Sequence, residues 1–237
     1  ATILVKQKTG ERAVFFERAT ATEPEFLEAH KQLIESAYIL HINGRHRQLM
    51  RSAMAVAKKA GTIISLDGGA QRYDEAMKPI TEDSHIVIVA RDYAEKYTGT
   101  TDLETACHII HDRGALIAGV TDGANGSYFV WPDGTAYRCE PFPQKSIVDT
   151  TGAGDSFHGA FLANLAHIIN HMKGQDTTST TKHDRASIHA VELLKACAHS
   201  DLEKAAIFAS AVASLNTQGI GGRSPLPTLK SVQELIG

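Results

Sequence analysis

The feature that most constrains this chain is an alternation of short apolar runs with stretches of helical spacing. YILHI (38–42) precedes Arg47 to Ala60, TIISL (62–66) precedes Ala70 to Met77, and HIVIVA (85–90) precedes Asp92 to Tyr97. ALIAGV (115–120) follows a segment in which Leu103, Cys107 and Ile110 share one helical face. A strand that is apolar on both sides of its pleat is buried on both sides, and the intervening helices supply the cover. The reading is an α/β fold with a mostly parallel sheet sandwiched between helices in three layers, α/β/α. Right-handed crossovers then collect the strand ends and their loops on one edge, where ligands bind.

Two stretches break the alternation. ILVKQ and AVFFE, on either side of Lys8 to Glu11, read as a β hairpin within residues 1–20, too short to have a core of its own. NGSYFV and TAYRCEPF, joined through Trp131 to Gly134, read as a second hairpin at a sheet edge. Residues 173–184, KGQDTTSTTKHD, are polar and aperiodic and read as a flexible insertion between helices. The whole of residues 1–237 is read as a single domain.

A net charge of -3 with scattered Lys and Arg supplies no basic field, so no nucleic-acid partner is expected. No apolar run reaches the roughly 20 residues of a membrane-spanning helix, so no membrane partner is expected either. Three cysteines without CxxC spacing suggest neither a disulfide framework nor a zinc site, and cytoplasmic residence is expected. His167 and His171 are one turn apart, but no Glu or third ligand accompanies them in zinc-site spacing.

The chemistry concentrates in IVDTTGAGDSFHGAFLANLAHIINHM (147–172). Phe157, Phe161, Leu165, Ile168, Ile169 and Met172 recur at helical spacing, which starts an amphipathic helix near Ala153. Gly152 and Gly154 then fall at its first turn, where unpaired amides favour an anion such as phosphate. A carboxylate there, Asp155, either accepts the proton of an attacking hydroxyl or complements the helix dipole.

The segment DTTGAGDSFHGAFL (149–162) resembles, throughout its length, the C-terminal signature of the PfkB, or ribokinase-like, carbohydrate kinases. The resemblance implies a ribokinase-like fold with residues 1–20 as a remnant of its β lid. It implies Asp155 as catalytic base, with the amides of Gly152, Ala153 and Gly154 as an anion hole for the transferring phosphoryl group. Asp149 and Thr151 match positions that hold a monovalent cation, K+, in potassium-dependent members. TDGANG (121–126) resembles the family's nucleotide loop, which places Thr121, Gly123 and Gly126 along ATP. AAIFASAVASLNTQGIGGRSPLP (205–227) resembles its adenine-side helix and loop, with Ser210 and Gly219 bordering nucleotide or cation. HINGRH (41–46) resembles the strand end of ketohexokinase-like members, which nominates Arg45 as a clamp on phosphate oxygens. Asp67, at another strand end, is a candidate for a substrate or water contact.

Family members usually begin with a further αβ portion that carries the sugar-binding aspartate, and this chain starts beyond it. Ala90 and Tyr93 occupy the places of an Asn-x-x-Glu pattern that organises magnesium elsewhere in the family. The expectation is therefore an ATP-dependent kinase for a hydroxyl of a small sugar, with Mg2+ held chiefly by ATP and water. A nucleoside kinase and a non-catalytic nucleotide-binding relative are the alternatives. The lid remnant makes a homodimer the expected assembly.

Overall fold

The computed structural model describes residues 2–8, 12–15, 20, 22–175 and 190–237. Strands β1 (Thr2–Val5) and β2 (Arg12–Phe15) pair antiparallel as a separate two-stranded sheet. Their turn at Thr9 to Glu11 lies outside the described residues. Ile3, Leu4 and Phe15 of this hairpin are exposed, so it contributes no core of its own.

The main sheet has six strands side by side in chain order: β3 (Ile39–Ile42), β4 (Ile63–Gly68), β5 (Ile86–Ala90), β6 (Ile117–Thr121), β7 (Ser127–Val130) and β8 (Ala136–Cys139). β3 to β6 are parallel, whereas β7 and β8 form the antiparallel hairpin expected at one edge. The parallel register brings Ile42, Gly68, Ala90 and Thr121 together at the carboxyl ends of the parallel strands.

Alternation along each strand divides the core in two. Ile64 and Leu66 of β4, with Val87 and Val89 of β5, face α1 (Glu28–Ser36), α2 (Arg47–Ala60), α3 (Lys78–Glu82), α4 (Arg91–Thr98) and α5 (Leu103–Asp112). Ile63, Ile86, Ile88 and Ile117 face α6 (Ala153–Gln175), α7 (Ala190–Lys195), α8 (His199–Asn216) and α9 (Leu229–Ile236). The expected three layers result. α6 starts at Ala153 as its periodicity predicts and buries Phe157, Phe161, Leu165 and Ile169. Phe129 of β7 stacks on Trp131, Phe157 and Phe161, with centroids 4.9, 6.3 and 5.8 Å apart. This aromatic column joins the antiparallel edge to the start of α6.

Two expectations need adjustment. No helix runs from Ala70 to Met77: a 3-10 turn at Glu75–Met77 leads into the short α3. Gln71 is left-handed (φ 61°), and the Asp74 side chain caps the Ala76 amide, so helix starts only there. The proposed insertion at 173–184 begins inside α6, which continues to Gln175, and the rest of it lies outside the described residues. Among the described residues no helix is long and apolar enough to cross a membrane.

Candidate active site

The start of α6 is shaped by a close approach of two loops. Gly152 has φ 82°, and a Cβ there would lie 2.4 Å from the Gly222 Cα. Only glycine accommodates both demands. Buried Asp149 closes the same knot, one carboxylate oxygen accepting from the Thr151 amide at 2.8 Å and the other from the Gly221 amide at 2.9 Å. The Asn216 amide group donates to the Thr151 carbonyl at 3.2 Å. The signature segment and the loop after α8 are thereby one structure.

Four buried polar atoms here have no hydrogen-bond partner among the described residues: Thr151 Oγ1, Ser156 Oγ, His158 Nδ1 and Asn216 Oδ1. Such atoms cost free energy unless a ligand, ion or water meets them. Thr151 Oγ1 and Asn216 Oδ1, beside the Asp149 carboxylate, are oxygen donors of the kind that suits a hard cation.

At the first turn of α6 the Ser156 amide donates to the Gly152 carbonyl at 2.8 Å, and the Ala153 amide donates to Thr150 at 3.3 Å. The Ala153 amide is thus engaged in the turn rather than presented outward. The Gly154 and Asp155 amides donate to no carbonyl among the described residues, and both residues are exposed. Asp155 and Ser156 stand on the wall of a cleft of about 410 Å³, whose floor is apolar: Phe208 and Val212 of α8, and Pro227 and Val232 around α9. The arrangement can seat a flat apolar group in the cleft and an anion at its mouth, next to a carboxylate.

On the other side of this helix start, polar groups replace apolar ones. His158, one turn beyond Asp155, points Nε2 at Asp67 of β4 at 3.3 Å, and Arg72 holds the other Asp67 oxygen at 3.1 Å. His41 of β3 lies with its ring 5.3 Å from His158 and its Nδ1 3.2 Å from Ser65 Oγ. Burial works against an ionised Asp67, but His158 and Arg72 outweigh it and hold the carboxyl below its ordinary range. Loss of solvent around the His41 ring and repulsion by His158 hold that imidazole low, with Asp67 and Asp155 opposing.

The TDGANG loop sits at the end of β6. Thr121 Oγ1 reaches the Val89 carbonyl at 3.4 Å, and Gly123 and Gly126 have φ 54° and 87°. A Cβ on Gly126 would meet the Cys139 carbonyl at 2.3 Å. Ser210 of α8 packs against the chain just after β8, its hydroxyl 3.5 Å from the Glu140 carbonyl, and is not among the residues that line the cleft. Gly219 packs where a Cβ would be 2.7 Å from Pro225. Arg45 is exposed on the loop after β3, with its amide 3.3 Å from Asn43 Oδ1. Tyr93 is fully buried and its hydroxyl bonds Thr81 at 2.7 Å; burial pushes it up to about 12. Neither it nor Ala90 fits a role in organising magnesium, and among the described residues no three His, Cys, Asp or Glu side chains gather for a metal ion.

Over residues 1–229 the sequence matches the pfkB family of carbohydrate kinases. The chain belongs to that family. Probable fructokinase-5 of Arabidopsis thaliana is 28% identical over 248 residues, covering 97% of this chain and 68% of the relative. The 5-dehydro-2-deoxygluconokinase of Clostridium perfringens is 30% identical over 132 residues, covering 50% of this chain and 38% of the relative. Among solved structures, a putative ribokinase II of E. coli in complex with ATP and Mg2+ superposes with a TM-score of 0.63 at 18% identity, over 87% of this chain and 60% of that one. The three-layer architecture of this pfkB chain is therefore ribokinase-like, and the chain spans between about two fifths and two thirds of these proteins' lengths.

The sequence did not single out Asn216, Gly222, Arg72, Arg91 or Asp122. Gly222 and Asn216 lie inside the segment that resembles the adenine-side loop, so position offered a signal. Asp122 lies inside TDGANG, so position offered a signal there too, whereas Arg91 offered none because Asp122 is 31 residues away, and Arg72, five residues from Asp67, lies in no motif.

Proposed function

We propose that this chain is the nucleotide-binding and catalytic part of an ATP-dependent kinase acting on a hydroxyl of a small sugar. One observation carries the reading: Asp155 stands on a cleft wall at a helix start whose Gly154 and Asp155 amides meet no carbonyl among the described residues. A carboxylate beside an anion-binding turn repels phosphate, and deprotonating an attacking alcohol gives it a task there.

In this reading the apolar cleft takes the adenine, and Thr121, Gly123 and Gly126 follow the nucleotide, with Ser210 and Gly219 behind them. Mg2+ would enter with ATP rather than on a carboxylate cluster of the described residues, and would supply charge neutralisation to the phosphates. Asp155 removes the acceptor's proton as its oxygen attacks the γ-phosphorus in line, and ADP departs from the opposite side. The amides of Gly152 and Gly154 stabilise charge on the equatorial oxygens. Ala153 contributes less, since its own amide is engaged in the turn. Arg45 swings onto the phosphoryl group as an electrostatic clamp. Asp149, Thr151 and Asn216 would hold a monovalent cation such as K+, whose charge would steady the anion hole; the two orphaned oxygens there support this. The exposed apolar hairpin supports pairing of two copies as a homodimer, and three unpaired buried cysteines support a cytoplasmic setting.

The deciding experiment is ADP release over a panel of sugars and nucleosides by wild type and Asp155→Asn. Loss of a general base is expected to lower kcat by about 10²–10⁴-fold with ATP binding retained. Wild-type turnover in the variant removes Asp155 from the mechanism.

A further inference from the structure

Arg91 belongs to no motif in the sequence, yet it makes a two-pronged contact with the TDGANG loop. Its Nε lies 2.7 Å from Asp122 Oδ1 and its Nη2 2.5 Å from Asp122 Oδ2. The Asp122 side chain is only 12% exposed, and its Oδ2 also accepts from the Asn125 amide group at 3.0 Å. The Asp122 backbone closes the loop, its amide donating to the Gly126 carbonyl at 2.9 Å and its carbonyl accepting from Asn125 at 3.0 Å. A Cβ at Gly123 would meet nothing within 4 Å, so packing does not fix the turn there. Hydrogen bonds converging on Asp122 fix it instead, and the arginine at the start of α4 anchors them to the neighbouring strand end.

Charge gives the contact a second purpose. An aspartate in a loop that follows a nucleotide's phosphates opposes binding unless its charge is neutralised. A planar guanidinium matched to both carboxylate oxygens neutralises it and fixes its direction. The arginine holds the Asp122 carboxyl well below its ordinary range, despite burial that works the other way.

We propose that Arg91 is a positioning residue for the nucleotide: by gripping Asp122 it holds the loop at 121–126 ready to receive a nucleoside triphosphate and screens that carboxylate from the phosphates. This rests on residues 121–126 being the nucleotide loop, as in the function proposed above. Arg91 touches no substrate in this account and acts through Asp122.

Titration calorimetry with MgATP and, separately, with adenosine tests it without any acceptor sugar. Arg91→Met is expected to weaken MgATP binding about ten-fold and adenosine binding less than about two-fold, because the repelled charge is on the phosphates. Arg91→Lys keeps the charge but not the fork, and is expected to recover part of the loss. Adding Asp122→Asn to Arg91→Met removes the unscreened carboxylate and is expected to restore most of it. Unchanged MgATP binding in Arg91→Met, or equal losses for MgATP and adenosine, overturns the clamp while leaving the kinase reading intact. If Arg91→Met does not fold, the same comparison is read from Arg91→Lys, where wild-type MgATP affinity overturns the clamp. A wild-type protein that binds no MgATP overturns the nucleotide loop and the clamp together.

Discussion

Gly154 and Gly152 show how differently two glycines of one turn are constrained. Gly152 is kept by its left-handed backbone and by Gly222 against it. Gly154 has φ in the ordinary range, and a Cβ there would meet nothing within 4 Å. No feature of the protein itself requires glycine at this helical position, where alanine is favoured by roughly 0.5–1 kcal/mol. Gly154→Ala is therefore expected to raise the urea midpoint while lowering kcat, because the added methyl would intrude on the place proposed above for the phosphoryl group. Chemical denaturation and turnover on the same preparations check this, and undiminished turnover would locate the anion elsewhere. The signature glycines and Asp155 were legible in the sequence because their spacing relative to one helix start is local. The Asp67–His158–His41 group was only partly so, since three elements bring it together.

At the level of elements, the strand–helix alternation predicted β3 to β6, α2, α4 and α5 because burial on two faces leaves a continuous apolar run. The helix expected at 70–77 failed where a left-handed Gln71 and a capping Asp74 overrode apolar spacing. A pH dependence follows from how the sheet is stitched. The Ile64 amide of β4 donates to His85 Nδ1 at 3.0 Å, which requires that nitrogen to be unprotonated. Burial, then Lys58 and Lys195, hold the His85 imidazole below its ordinary 6.5. The unfolded chain therefore binds more protons than the folded one in the window below about 6.5, so stability is full above that value and declines as pH falls through it. His41 shifts the same way. The melting temperature is expected to fall between about pH 7 and pH 5, and less steeply in His85→Gln, whose amide oxygen accepts the same bond without titrating. Parallel slopes for the two proteins in scanning calorimetry would remove His85 as the cause.

For the whole molecule, the main sheet has its core on both faces, whereas the β1–β2 hairpin leaves Ile3, Leu4 and Phe15 exposed. Exposed apolar strands are a liability unless covered. Light scattering on the protein is expected to give twice the chain mass, and Leu4→Lys is expected to shift it toward the monomer. A monomeric wild type would retire the paired-hairpin proposal. The hairpin was legible from its turn chemistry, whereas a second copy as its cover was suggested only by the resemblance to the family's lid, since spacing within one chain carries no information about a partner.

The column of stacked rings has a practical consequence. Trp131 is the chain's one tryptophan, it is fully buried, and its indole Nε1 meets no hydrogen-bond partner among the described residues. Through Phe129 it is in register with Phe157, two residues past Asp155. Its emission is therefore expected to lie to the blue, free of competing indoles, and to respond without a label when the stacked rings that reach the signature helix shift.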